Sequence, residues 1–336
     1  MELLGETQIR WTLRTTARLL SDGAEPVRGL VLPTGAFFPD AFDGSPKAVA
    51  ALCARIQDHA GLADVPTEVK IAAPDGSVQK ASCSSGACGG GGQVDTKLDR
   101  VSKRSDGTYV IGLAAGETRH PVALTTTLAR AVALIFLVES GAIESTPPRD
   151  IEATVDLAAV LLGFGVLMAN GSHIYQKGCG GVAVHSATKM SVEEIGTALA
   201  LFCALHDVPD RVAQKHLTTT PLEAFDEGAV WCASNRKIVK MLRSDPVAIE
   251  EERYELGEAR SWLARALGIG KKKKATADEE LAQIEKWVQT ADSGVWGFGS
   301  RAASSTPGAA AKKVVDPAKA ARLAEIRAFM EESAEG

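Results

Sequence analysis

Leu128-Ala-Arg-Ala-Val-Ala-Leu-Ile-Phe-Leu-Val138, a connection holding Pro147-Pro148, and then Ile151-Glu-Ala-Thr-Val-Asp-Leu-Ala-Ala-Val-Leu-Leu-Gly-Phe-Gly-Val-Leu-Met-Ala169 decide the reading of the fold. Each segment is long enough for several helical turns and is apolar on nearly every face, the pattern of a helix buried inside a protein. The longest nearly uninterrupted run, Leu157 to Ala169, is shorter than the roughly 20 residues that span a bilayer, and it starts beside Asp156. Two packed core helices are therefore expected, and no membrane segment.

Working outward, the 336 residues are 45% hydrophobic and 24% charged, enough to bury a full core in one large or two modest domains. Apolar runs predict strands at Val27 to Leu32, Glu68 to Ala72 and Tyr109 to Leu113. Helices are expected at Pro46 to His59, Ala123 to Ile143, Val192 to His206, Pro209 to His216, Pro221 to Arg243 and Ile249 to Leu267. Ser191, followed by Glu193 and Glu194, supplies a side-chain acceptor and negative charge at a helix start, and Thr220 before Pro221 is a similar signal. The order is α+β: a small N-terminal sheet and a predominantly helical body.

The body is expected to span residues 1–245, with a flexible Cys/Gly-rich loop at 75–93. The remainder, 246–336, reads as a helical and partly disordered extension. Its Lys271 to Lys274 run and the Ser, Ala, Gly and Lys-rich stretch around Ala302 to Lys313 have linker composition, while Glu279 to Thr290 and Pro317 to Glu332 keep helical spacing suited to docking on a protein partner. A net charge of -5 offers no general attraction to nucleic acid or anionic membrane. The helices within Val192 to Arg243 imitate a DNA-binding pair in outline, but Glu193, Glu194, Glu223, Asp226 and Glu227 give them the wrong charge. Met1 to Glu6 carries no apolar stretch of signal-peptide type, so a cytoplasmic location is expected.

The thiols divide into two groups. Cys53, Cys203 and Cys232 lie in apolar helical context and read as core. Cys83 and Cys88 have Cys-x4-Cys spacing, half of a tetrahedral zinc site that Cys179, His173 or His185 would have to complete. Cys179 sits in a Gly-rich stretch beside Lys177, where a neighbouring His would activate it as a nucleophile; the same stretch also reads as a tight turn between helices. Gly163-Phe164-Gly165 follows no strand and lacks the Lys-Ser/Thr ending of a phosphate loop, so close helix packing is the better reading.

Val31-Leu-Pro-Thr34, Phe37-Phe-Pro-Asp40 and Phe42-Asp-Gly44 lead into the Pro46 helix; later come the Ala123 helix, Glu152-Ala-Thr-Val-Asp156, and Leu161-Leu-Gly-Phe-Gly165 running to Ala169-Asn170. In that order the stretch from Trp11 to Asp245 resembles a group of bacterial proteins related in pattern to the gluzincin zinc metallopeptidases. The resemblance implies a metallopeptidase-like helix pair, in which the first helix presents His-Glu-x-x-His to zinc and the second supplies a Glu within Glu-x-x-x-Asp. Glu152 and Asp156 fit the second helix. The comparable first-helix stretch reads Arg130-Ala131-Val132-Ala133-Leu134. Arginine stays protonated and offers no lone pair to a metal, and neither alanine nor leucine can ligate or act as a base.

Zinc peptidase activity is therefore not expected, and no cofactor is. An ion pair from Arg130 to Glu152, with Asp156 as a further acceptor, is predicted in place of the metal, because a guanidinium can pair a carboxylate that would otherwise be buried alone. The bland alternative leaves both acids facing solvent near a helix start. Two function classes follow: a non-catalytic pseudoenzyme that serves as a binding or scaffold protein, or a thiol- or metal-dependent enzyme using Cys83, Cys88 and Cys179, with zinc as the metal.

Overall fold

A computed structural model describes residues 4–72, 100–178 and 181–257, without the side chains of 176–183. Its first helix, α1 (Glu6–Ser21), has a buried stripe in which Thr12, Thr15 and Thr16 alternate with Ile9, Leu13, Ala17 and Leu19. The threonines blur the apolar period that would mark this helix in the sequence. The next helix, α2 (Pro46–His59), has the bounds expected: Ser45 Oγ accepts from Ala48 N and Pro46 fits the first turn.

Three strands, β1 (Thr67–Ala72), β2 (Val101–Lys103) and β3 (Tyr109–Ala114), form a sheet in the order β1-β3-β2. β1 runs parallel to β3 with Val69 opposite Ile111, and β2 is antiparallel to it. Tyr109, Ile111 and Leu113, alternate residues on β3, bury one face. Val27 to Leu32, expected as a strand, is not one. Gly29 turns the backbone to φ +70, and the Val31 N–H goes to a helix carbonyl, Gly163 O at 2.9 Å, rather than to a neighbouring strand.

The first central helix is α3 (Pro121–Glu139), which stops four residues before the expected end as Gly141 takes φ +75. The second is interrupted: a 3-10 turn at Pro148–Asp150, then α4 (Ile151–Ala159), a π turn at Val160–Phe164, and α5 (Gly165–Gly171). Gly163 makes the interruption possible. Its φ of +98 is strained for any other residue, and a Cβ there would collide with the Gly29 carbonyl. Gly165 packs close, since a Cβ would lie 2.6 Å from Leu199 Cδ1. Both Pro121–Glu139 and Pro148–Gly171 are long and apolar enough to cross a membrane, with 67% and 83% of their apolar windows buried inside the fold.

An antiparallel hairpin, β4 (Ile174–Gly178) with β5 (Gly181–His185), follows where the Gly-rich stretch reads as a turn between helices. Then come α6 (Val192–Leu205), α7 (Asp210–Gln214), α8 (Thr219–Ser234), α9 (Arg236–Ser244) and α10 (Pro246–Glu250). Ser191 caps α6 with a reciprocal box: its Oγ accepts from Glu194 N, and the Glu194 carboxylate accepts from Ser191 N. The helix expected over Pro221 to Arg243 starts at Thr219, with Thr218 rather than Thr220 at the N-cap position and no side-chain capping bond, and is cut into α8 and α9 at Asn235. Asn235 Oδ1 accepts from Gly257 N at 3.0 Å, and α10 packs on α1, so the described body continues past residue 245. Phe164, Phe202 and Phe225 are fully buried where these helices meet, each contributing about 1.5–3 kcal/mol relative to an exposed ring. The architecture is α+β, with a small sheet and dominant helices.

Candidate functional site

The residues of the predicted ion pair lie on the two central helices. α3 places Arg130, Ala131 and Leu134 in the interior at 5%, 5% and 7% exposure, so none of the three is open to solvent. Arg130 Nε donates to Asp156 Oδ1 at 2.5 Å. The second carboxylate oxygen is also used: Asp156 Oδ2 accepts from Lys189 N at 2.6 Å and Met190 N at 2.9 Å. A carboxylate with no exposed surface thus has one guanidinium and two backbone donors around it. Burial pushes the Asp156 carboxyl upward, and Arg130 with the Met190 and Lys189 amides pulls against that push.

The carboxylate that Arg130 takes is Asp156, not Glu152. Glu152 stands in the first turn of α4, partly exposed, and among the described residues it has no ion pair. One helical turn explains the difference: residues four apart share a face, but the helix end leaves Glu152 in reach of water while Asp156 is carried into the core. The Lys189 and Met190 amides come from the turn before α6, more than thirty residues on, and no local sequence pattern announces them. Asp156 consequently ties three elements together, α3, α4 and the entry to α6.

Of the other candidates, Cys83, Cys88 and Cys179 lie outside the described residues. His173 rests edge-on against Tyr175, with ring centroids 4.9 Å apart, and His185 pairs with Ile174 across the hairpin. Among the described residues no three His, Cys, Asp or Glu side chains converge on one point. Cys53, Cys203 and Cys232 are buried, and desolvation pushes each thiol up to about 12, which removes the thiolate that nucleophilic or metal chemistry needs.

A second polar region went unmarked in the sequence. A cleft of about 240 Å³ opens between α1 and the start of α4, walled by Trp11, Arg14, Thr15 and Arg18 on α1, by Ser145, Pro147, Asp150 and Thr154, and by Glu250. Arg18 is held by Ser145 O and Thr146 Oγ1, each at 3.1 Å, and Arg14 reaches Glu252 at 3.5 Å. Thr154 is 1% exposed and its Oγ1 has no partner; nor has the buried Arg18 Nε. The one sequence signal was the i, i+4 spacing of Arg14 and Arg18, which puts two guanidiniums on one helix face.

Comparison with known proteins adds no assignment: no family model, no curated protein and no solved structure matches the chain.

Proposed function

We propose that this chain is a non-catalytic relative of the gluzincin metallopeptidases, a cytoplasmic pseudoenzyme acting as a binding or scaffold protein, with its C-terminal residues as the route to a protein partner. One observation carries the reading. At the position where the resemblance implies the first zinc-binding His, α3 has Arg130, whose guanidinium lies 2.5 Å from Asp156. A fixed positive charge repels a divalent cation, and Ala131 and Leu134 supply no ligand or base beside it. The described acids of the second helix are one buried and bonded, Asp156, and one partly exposed, Glu152. Nothing in that set polarises a carbonyl or activates water.

The test is a peptidase assay of the full chain with zinc supplied, on a mixed peptide library read by mass spectrometry. The expected outcome is no cleavage above a chelator control. Cleavage that depends on added zinc and disappears in Glu152→Gln would overturn the reading.

A further inference from the structure

Between α1 and α2, residues 32–43 hold no helix or strand. Their backbone turns are local, with Thr34 N donating to Leu32 O and both Phe37 N and Phe38 N donating to Thr34 O. The chain is pinned on either side: Val31 N donates to Gly163 O, and Ser45 caps α2. Between those pins the loop bears on the last turns of α2. His59 Nε2 donates to Phe37 O at 2.9 Å, and the Phe37 and Phe38 rings stand edge-on to the imidazole with centroids 5.7 and 5.5 Å away. Asp40 accepts from Arg55 at 3.0 Å. Lifting this loop therefore breaks no helix ladder and no strand pairing.

His59 is 1% exposed, and its Nδ1 has no partner among the described residues. With the hydrogen on Nε2, Nδ1 is a bare acceptor, which an apolar surrounding tolerates while the ring is neutral. A proton on Nδ1 would bury a charged N–H with nothing to accept it. The charged groups around the ring are engaged with one another. On α2, Arg55 meets Asp40 and Asp58, and Asp58 also meets Arg28 at 3.0 Å. Burial above all, with Arg28 and Arg55 behind it, holds the His59 pKa below the ordinary 6.5 against the pull of the Phe37 carbonyl and Asp58.

We propose that residues 32–43 are an acid-released latch: a proton on His59 Nδ1 detaches Phe37 and Phe38 from α2 while the helical core stays folded. Opening lets water accept from the imidazolium, and loss of the proton lets the loop close again. Because the closed loop selects the neutral ring, the latch is shut above 6.5 and opens as the pH falls through the lower folded value. This goes beyond the pseudoenzyme reading and stands whether or not α3 and α4 descend from a zinc site.

The experiment is a fluorine NMR titration of the full chain labelled with 4-fluorophenylalanine, from neutral pH downward, each signal assigned by replacing that phenylalanine with leucine. The Phe37 and Phe38 signals are expected to move together with a midpoint below 6.5, while those of the fully buried Phe164, Phe202 and Phe225 stay fixed. In His59→Gln, the Phe37 and Phe38 signals are expected to hold still over the same range. Asp40→Asn, at an exposed position that leaves the core intact, removes the ion pair between loop and helix and is expected to raise the midpoint toward 6.5. Phe37 and Phe38 signals that stay put until the core signals move, or that move alike in His59→Gln, would overturn the latch. So would a midpoint that Asp40→Asn leaves unchanged or lowers.

Discussion

Asp156 and Thr154 stand two residues apart on α4, both with almost no exposed surface, and they are bonded in opposite ways. Asp156 meets a guanidinium and two backbone amides; Thr154 Oγ1 meets nothing. The same helix thus presents a saturated polar group to α3 and keeps an unsaturated one buried near α1. A buried charge that is bonded on both oxygens holds a structure in one arrangement, whereas a buried hydroxyl left without a partner costs stability. The first region is built to stay closed and the second is left open.

The largest effect belongs to the closed region. Arg130→Met leaves Asp156 buried with its guanidinium gone, and a loss of about 3–5 kcal/mol is expected in denaturant unfolding. Arg130→Met with Asp156→Asn should recover a good part of that loss, since the charge goes with its partner; equal and additive losses for the two single changes would show that the pair is not coupled.

Gly163→Ala tests the joint between the regions. The positive φ and the approach of the Gly29 carbonyl predict a loss of about 1–3 kcal/mol, read as a lower unfolding midpoint. An unchanged midpoint would mean that the π turn is not held as described.

Protonation gives a third, smaller effect. His59 is buried against Phe37 and Phe38, its Nε2 donating to Phe37 O at 2.9 Å, and burial holds its pKa below the ordinary 6.5. His173, His206 and His216 are lowered for the same first reason. For a base lowered by folding, the unfolded chain takes up the proton first as the pH falls. The stabilisation is thus complete above the unfolded value and is lost as the pH drops from 6.5 through the folded value. Melting curves should be level near neutrality and fall on acidification, and His59→Gln should flatten part of that fall. A profile unaffected by His59→Gln would remove His59 from the account.

The smallest effect belongs to the open region. Thr154→Val replaces an unbonded hydroxyl by a methyl of the same shape, and stability should stay within about 0.5 kcal/mol or rise slightly. Thr126→Val should cost about 1 kcal/mol, because Thr126 Oγ1 donates to the backbone carbonyls of Val122 and Leu167. Equal losses in the two variants would erase the contrast.

Much of the closed region was legible in the sequence, and little of the open one. The runs at Leu128 to Val138 and Ile151 to Ala169 are apolar enough to mark buried helices without tertiary information, and Pro46 and Ser191 announce helix starts by local chemistry. Which acid Arg130 would take was not legible, because the choice depends on depth below the surface and on amides supplied by Lys189 and Met190. The strand reading of Val27 to Leu32 failed at Gly29, whose positive φ ends an otherwise extended apolar run. The β4–β5 hairpin was hidden by its glycines, which suit a turn between helices equally well. α1 escaped because Thr12, Thr15 and Thr16 occupy its buried face.

The most direct measurement of the central claim is the zinc content of the full chain, determined by elemental mass spectrometry after equilibration with zinc and removal of free ion, for the parent and for Glu152→Gln. A pair of helices closed by Arg130 predicts the same content in both proteins, with no ion that depends on Glu152. One zinc per chain in the parent, lost in Glu152→Gln, would contradict it.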